Sequence, residues 1–294
     1  MSSLRNRLDA ATDWLSGPEP IDRARFLEGA LAVLIGLRVA LGPFRALSGL
    51  PASLYEPPFF LAWLDTIPSS SAIAAVQVVG VLGALAVLLP TGPWRRVGFV
   101  VAWVCLLTLA GFRDSRGKIM HNDLLLVWAA VPFLFASVDL AFRNRTPSRR
   151  AGWPVRLSLT FVALTYFFAG WAKVRRSGPA WAFSDNVTWV MRWGADISAR
   201  APWPELTRWV ADHPVLTYTS ALFTLLMELT FPVVLFRAGL RPLYAAGAVA
   251  LHAFTALLLG YDYWLWAAVA VVVLVDWPGL LDRSRQPLAA STAS

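Results

Sequence analysis

Ser71-Ala-Ile-Ala-Ala-Val-Gln-Val-Val-Gly-Val-Leu-Gly-Ala-Leu-Ala-Val-Leu-Leu-Pro90 runs for twenty residues without a charged side chain. At about 1.5 Å of rise per residue, a helix of that length matches the ~30 Å hydrocarbon layer of a bilayer. Working outward, further apolar runs occupy 26–48, 96–112, 121–141, 155–173, 215–237, 242–260 and 263–277. The expected architecture is therefore all-α, a polytopic membrane helix bundle of about eight transmembrane helices with interfacial outer segments. Composition excludes a water-soluble globule: 57% of the 294 residues are apolar and 15% charged, against about 25% charged in soluble domains.

Residues 1–25 are polar and of mixed charge, with no basic start followed by a short apolar core and a cleavage site, so they read as a cytoplasmic N-terminal segment. Residues 26–278 read as a single transmembrane domain. The Ala/Ser-rich stretch 279–294 reads as a disordered cytoplasmic tail. Short cytoplasmic segments of membrane proteins concentrate Lys and Arg. With both termini inside, the cytoplasmic side holds fifteen basic residues and the outer side nine. This places the chain in the cell's inner membrane as a multi-pass protein. The basic residues lie between apolar runs rather than along one polar face, so the net charge of +8 marks membrane topology and no nucleic-acid partner is expected. One cysteine and three histidines exclude a disulfide and make a metal site unexpected.

Two outer segments carry tryptophans suited to headgroup depth. The first is Pro57–Pro68, with Phe59, Phe60 and Trp63. The second is 177–214, with Trp181, Trp189, Trp193, Trp203 and Trp209, and is expected to contain a short helix near 185–199 that Pro202 and Pro204 terminate.

Three sets of polar residues could carry chemistry. Counted from the span ends, Arg38, Glu228 and His252 share a depth near the bilayer midplane, where an isolated charge is costly, and are expected to form a buried polar cluster. This cluster could fix packing, or could form a proton relay or the floor of a cavity. The second set is Arg113-Asp114-Ser115-Arg116 at the end of span three and His121-Asn122-Asp123 at the start of span four, either a helix cap or a substrate-binding mouth. In the third, Tyr166-Phe-Phe-Ala-Gly-Trp-Ala-Lys173 is followed by Arg175, Arg176 and Trp181. Lys173 could snorkel to the headgroups; alternatively, adjacent arginines disfavour its ammonium form and make it a general base.

The His121-Asn122-Asp123 helix start, the Tyr166-to-Lys173 run with Trp181 eight residues on, Glu228-Leu-Thr-Phe-Pro, and His252 together resemble the HTTM family over roughly residues 20–280. That family includes the membrane core of vitamin K-dependent gamma-glutamyl carboxylase and bacterial relatives, one of them required to mature a peptide toxin. The resemblance implies an extracytoplasmic active site using a reduced quinone, menaquinol or vitamin K hydroquinone. Lys173 would be the base and His121 a second catalytic residue. Asn122, Asp123, Arg113, Arg116, Arg175, Arg176, Tyr166 and Trp181 would contact substrate. The chain has Ala172-Lys173 where the carboxylase has paired lysines, and no counterpart of its large lumenal domain, so a propeptide-tagged substrate is not expected. A secreted peptide or protein remains a possible substrate. Two other readings stay open: a transporter or channel for a small anionic or lipid-like solute, and a non-catalytic maturation partner.

Overall fold

The structure is a computed structural model that describes residues 12–89, 92–115, 121–136 and 144–285, together with Asn6 and Asp9. It is nearly all-α. The single sheet among the described residues pairs two-residue β1 (Glu19–Pro20) with β2 (Pro147–Ser148), antiparallel. The chain divides into two compact units, Met1–Ser158 with Asp276–Ser294, and Leu159–Val275.

The first unit is built from α1 (Ile21–Leu41), α2 (Ser70–Val87), α3 (Pro93–Asp114), α4 (Leu124–Phe135), the first residues of α5 (Arg149–Ser177), and α13 (Trp277–Arg285). Ser69 caps α2, its hydroxyl accepting from the amide of Ala72 at 3.3 Å. Small residues bring α2 and α3 together backbone to backbone. A Cβ on Gly83 would lie 2.8 Å from the carbonyl oxygen of Gly98, and one on Gly98 would lie 2.6 Å from that of Gly83. Close approach of this kind replaces the hydrophobic drive that lipid cannot supply between helices. Away from that seam, Val78, Leu82 and Leu85 of α2 are exposed.

The second unit continues α5 and adds α6 (Ala180–Phe183), α7 (Asn186–Arg192), α8 (Pro204–Ala211), α9 (Pro214–Thr230), α10 (Val233–Phe236), α11 (Arg241–Leu259) and α12 (Trp264–Leu274). A π-helical turn, Trp193–Ile197, prolongs α7. At the end of α11, Gly260 takes φ +66°, and a Cβ there would run into the carbonyl of Arg200. Only glycine accepts both conditions without strain.

Four helical segments are long and apolar enough to cross a membrane: Ser70–Val87, Pro93–Asp114, Arg149–Ser177 and Ala238–Leu259. They mark the chain as a membrane protein. Each of the eight predicted runs contains a helix, but several boundaries move. The first helix covers 21–41 rather than 26–48, because Gly42-Pro43 ends it and residues 44–49 form a 3-10 turn. The run 215–237 breaks between Thr230 and Val233, where Pro232 has no amide hydrogen to donate. Segment 177–214 is mostly helical, and Pro204, expected to stop a helix, opens α8 at a position where its missing N–H costs nothing. Part of the tail expected to be disordered is helix: α13 extends to Arg285, and the Asp276 carboxylate accepts from the amide of Gly279. Residues 286–294 lie outside the described residues.

The N-terminal segment is more than a solvated stretch. Arg156 donates to Glu19 at 3.1 Å and also bonds the carbonyl of Trp14. Arg25 is fully buried, giving one nitrogen to Glu28 and another to the carbonyls of Val87 and Leu89 at 2.9 and 3.1 Å. Those carbonyls lie at the end of α2, where no intrahelical donor remains.

Candidate functional site

The second unit brings Lys173, Glu228, Tyr166 and His252 into a polar region lined by aromatic rings. Residues 166, 170 and 173 fall on one face of α5, since positions three and four apart share a face. That face meets α9, which runs antiparallel to it, Gly170 opposite Glu228 and Tyr166 opposite Phe231. Helical side chains lean toward their own N-terminus, so the lysine reaches back one turn to the level of Gly170. There its Nζ donates to both carboxylate oxygens of Glu228, at 2.6 and 2.5 Å. The ring of Trp181 lies under the ammonium at 5.1 Å, a cation–π contact. The Glu228 side chain is 8% exposed and that of Lys173 is 25% exposed, so the pair can be reached from the lysine side.

One turn below, Tyr166 is fully buried and its ring stacks on Phe231 at 4.1 Å. Its hydroxyl lies 3.0 Å from Nε2 of His252. Trp266 and Tyr263 pack against the imidazole, and Nδ1 of His252 is buried with no hydrogen-bond partner among the described residues. The arrangement offers a hydrogen-bonded ion pair above a second hydrogen-bonded pair, with aromatic rings excluding water from the lower one.

The first unit holds a different cluster. Arg38 donates from Nε to Oδ1 of Asp123 at 2.7 Å, and Nη2 of Arg113 lies 2.7 Å from Oδ2. Asp123 is 1% exposed, Arg38 3% and Arg113 8%, so two guanidiniums share one buried carboxylate. Phe44 packs under Arg38 at 5.6 Å. Asn122 is buried beside Asp123, whereas His121 is exposed. Arg116 lies outside the described residues.

Within the first unit Arg38 pairs with Asp123, and within the second Glu228 pairs with Lys173. Because α1 ends at Leu41, Arg38 lies in its last turn rather than near mid-helix, level with the end of α3 and the start of α4. The partner of Lys173 is a carboxylate. Arg175 and Arg176 are exposed, Arg175 on the far side of α5 from Lys173 and Arg176 about one turn beyond it.

Several structural residues escaped sequence reading. Gly170 and Phe231 are placed by the spacings 166–170–173 and 228–231, which repeat the helical period and were available as a signal. The Arg25–Glu28–Arg95 group, with Nε of Arg95 3.3 Å from Glu28, was hidden because Arg25 and Arg95 were counted only as topological charges. Among the described residues no group of three or more His, Cys, Asp or Glu side chains could hold a metal ion. The chain matches no protein-family model, no curated protein and no solved structure.

Proposed function

We propose that the chain is a multi-pass inner-membrane protein of about eight helical spans, with both termini cytoplasmic. Its extracytoplasmic proton-transfer site, built on Lys173 and Glu228, would act on a reduced quinone and, through it, on a secreted peptide or protein. The observation that carries this reading is the ion pair itself: a reachable lysine whose nitrogen donates to both oxygens of a buried carboxylate. Support for eight spans comes from α1, α4, α9 and α12, which occupy the remaining apolar runs. The fifteen-to-nine bias of basic residues supports the orientation. The likeness to the HTTM family supplies the substrate class.

The donor set fits a quinol. Trp181 presents a ring face beside a cation, Lys173 and Glu228 offer donor and acceptor, and the aromatic floor of Tyr166 and Phe231 excludes water. Trp181 and Lys173 would hold the group, which when bound supplies a weakly acidic ring hydroxyl and two electrons. Transfer of one proton from Nζ of Lys173 to Glu228 turns the ion pair into a neutral amine and a neutral acid. The lone pair on Nζ then takes a hydroxyl proton, with Trp181 orienting the ring. His121 and Asn122 belong to the first unit and enter this reading through the family likeness alone. Asp123, paired with both Arg38 and Arg113, acts with them as framework.

The test is quinone epoxide formation by the purified protein in lipid nanodiscs supplied with menaquinol or vitamin K hydroquinone and oxygen. Lys173→Ala is expected to lower turnover by about 10²- to 10⁴-fold, the usual size of a general-base contribution. Lys173→Arg should be equally inactive, because guanidinium does not give up its proton. A folded Lys173→Arg variant with full activity would reduce the lysine to a positive anchor. Sidedness is tested separately in a Cys105→Ala background. Cysteine at Ser177 should react with an impermeant thiol reagent from outside, and cysteine at Ser284 should not.

A further inference from the structure

Helix α5 carries a second exposed groove. Phe168, Trp171, Ala172, Arg175 and Arg176 follow one another at helical spacing and line a surface groove of about 540 Å³. At about 100° per residue, Arg175 lies roughly 200° and Arg176 about 60° around the helix from Lys173. Neither Lys173 nor Glu228 lines the groove. Its apolar part is solvent-accessible aromatic surface, with Phe168 58% and Trp171 49% exposed, on a helix apolar enough to span a membrane. Its other end carries two guanidiniums.

Most arginines deep in the described structure are neutralised within it: Arg25 and Arg95 by Glu28, Arg38 and Arg113 by Asp123, Arg156 by Glu19. Arg175 and Arg176 are different. Among the described residues neither has a hydrogen-bond or ion-pair partner, yet both line the same groove. Two adjacent positive groups at the end of a spanning helix, one turn beyond an interfacial tryptophan and two beyond a phenylalanine, match an anion carrying an apolar tail.

We propose that this groove binds an anionic phospholipid, the phosphate held by Arg175 and Arg176, the glycerol region against Trp171, and an acyl chain over Phe168 and Ala172. The bidentate guanidinium fork suits a phosphate, and a ring at headgroup depth suits Trp171. The site stands apart from the quinol reading and does not need Lys173 to be active.

The test is native mass spectrometry of the full-length protein in detergent, titrated with phosphatidylglycerol and with phosphatidylcholine of the same acyl chains. Phosphatidylglycerol should bind preferentially. The Arg175→Gln/Arg176→Gln variant should lose about thirtyfold in apparent affinity for it, from the usual contribution of a basic residue near an anionic lipid surface, taken twice. Arg149→Gln/Arg150→Gln, which removes equal charge from the other end of the same helix, should keep the wild-type value. Trp171→Ala should weaken both lipids. Glycerol phosphate, the headgroup without chains, should fail to compete. Equal affinity for the two lipids, an equal loss in both double variants, unchanged binding in the Arg175→Gln/Arg176→Gln protein, or full competition by glycerol phosphate would each overturn the assignment.

Discussion

Gly170 of α5 faces Glu228 of α9 so closely that a Cβ on the glycine would lie 2.9 Å from the Cβ of Glu228 and 3.1 Å from the backbone nitrogen of Leu229. The missing side chain lets the two helices approach, and this closeness brings Glu228 within reach of a lysine one turn further along α5. Packing and chemistry therefore meet at one residue without a side chain.

Gly170→Val should part the helices and lower stability by about 1–3 kcal/mol, the usual range for overpacking. Thermal unfolding in detergent would read this as a lower midpoint. Gly170→Ala should shift it less. A valine variant as stable as the parent would show that α5 and α9 are not held at this distance.

For the ion pair, Glu228→Ala should destabilise by about 1–3 kcal/mol, below the loss for a fully buried pair because a quarter of the lysine side chain meets solvent. Adding Lys173→Met should recover part of that loss, since the double variant leaves no uncompensated charge. A double-mutant cycle of thermal stabilities gives the coupling. Additive effects would argue against a direct pair.

Asp123→Asn is expected to be the more damaging change. It leaves Arg38 and Arg113, both buried, without the carboxylate they share, which costs about 3–5 kcal/mol when one partner of a buried pair is removed. The folded fraction recovered by size-exclusion chromatography should fall sharply. His121→Ala, two positions away and exposed, should leave it unchanged. Equal recovery of the Asp123 and His121 variants would contradict the framework role.

Arg25→Lys tests whether a charge or a fork is needed at the buried end of α2. The guanidinium bonds Glu28 and two backbone carbonyls at once. A lysine keeps the charge but presents a single nitrogen on a differently shaped chain and cannot hold all three. The expected loss is about 1–3 kcal/mol, from carbonyls left buried without donors. A lysine variant with the parent midpoint in thermal unfolding would assign the effect to charge alone.

Helix content and membrane character were legible in the chain itself. Runs such as 71–90 and 96–112 carry their own evidence, because hydrocarbon demands that backbone groups be satisfied within the segment, and a helix does this locally. Neighbouring residues also determine where Gly42-Pro43 and Pro232 interrupt helices, although the run of apolar side chains masked both breaks. The partners of the buried charges were not legible. Arg38 could have met any carboxylate at its depth, and its depth depended on where α1 ended, an error of a few residues being several ångströms along the axis. Likewise the sequence placed Lys173 beside Arg175 and Arg176, adjacent in number. The helix turned Arg175 away, and the close approach at Gly170 admitted Glu228, 55 positions after Lys173, as the lysine's partner. Local pattern decides which residues are helical and which faces are apolar; the approach of one helix to another, set by small residues at the crossing, decides which charges neutralise one another.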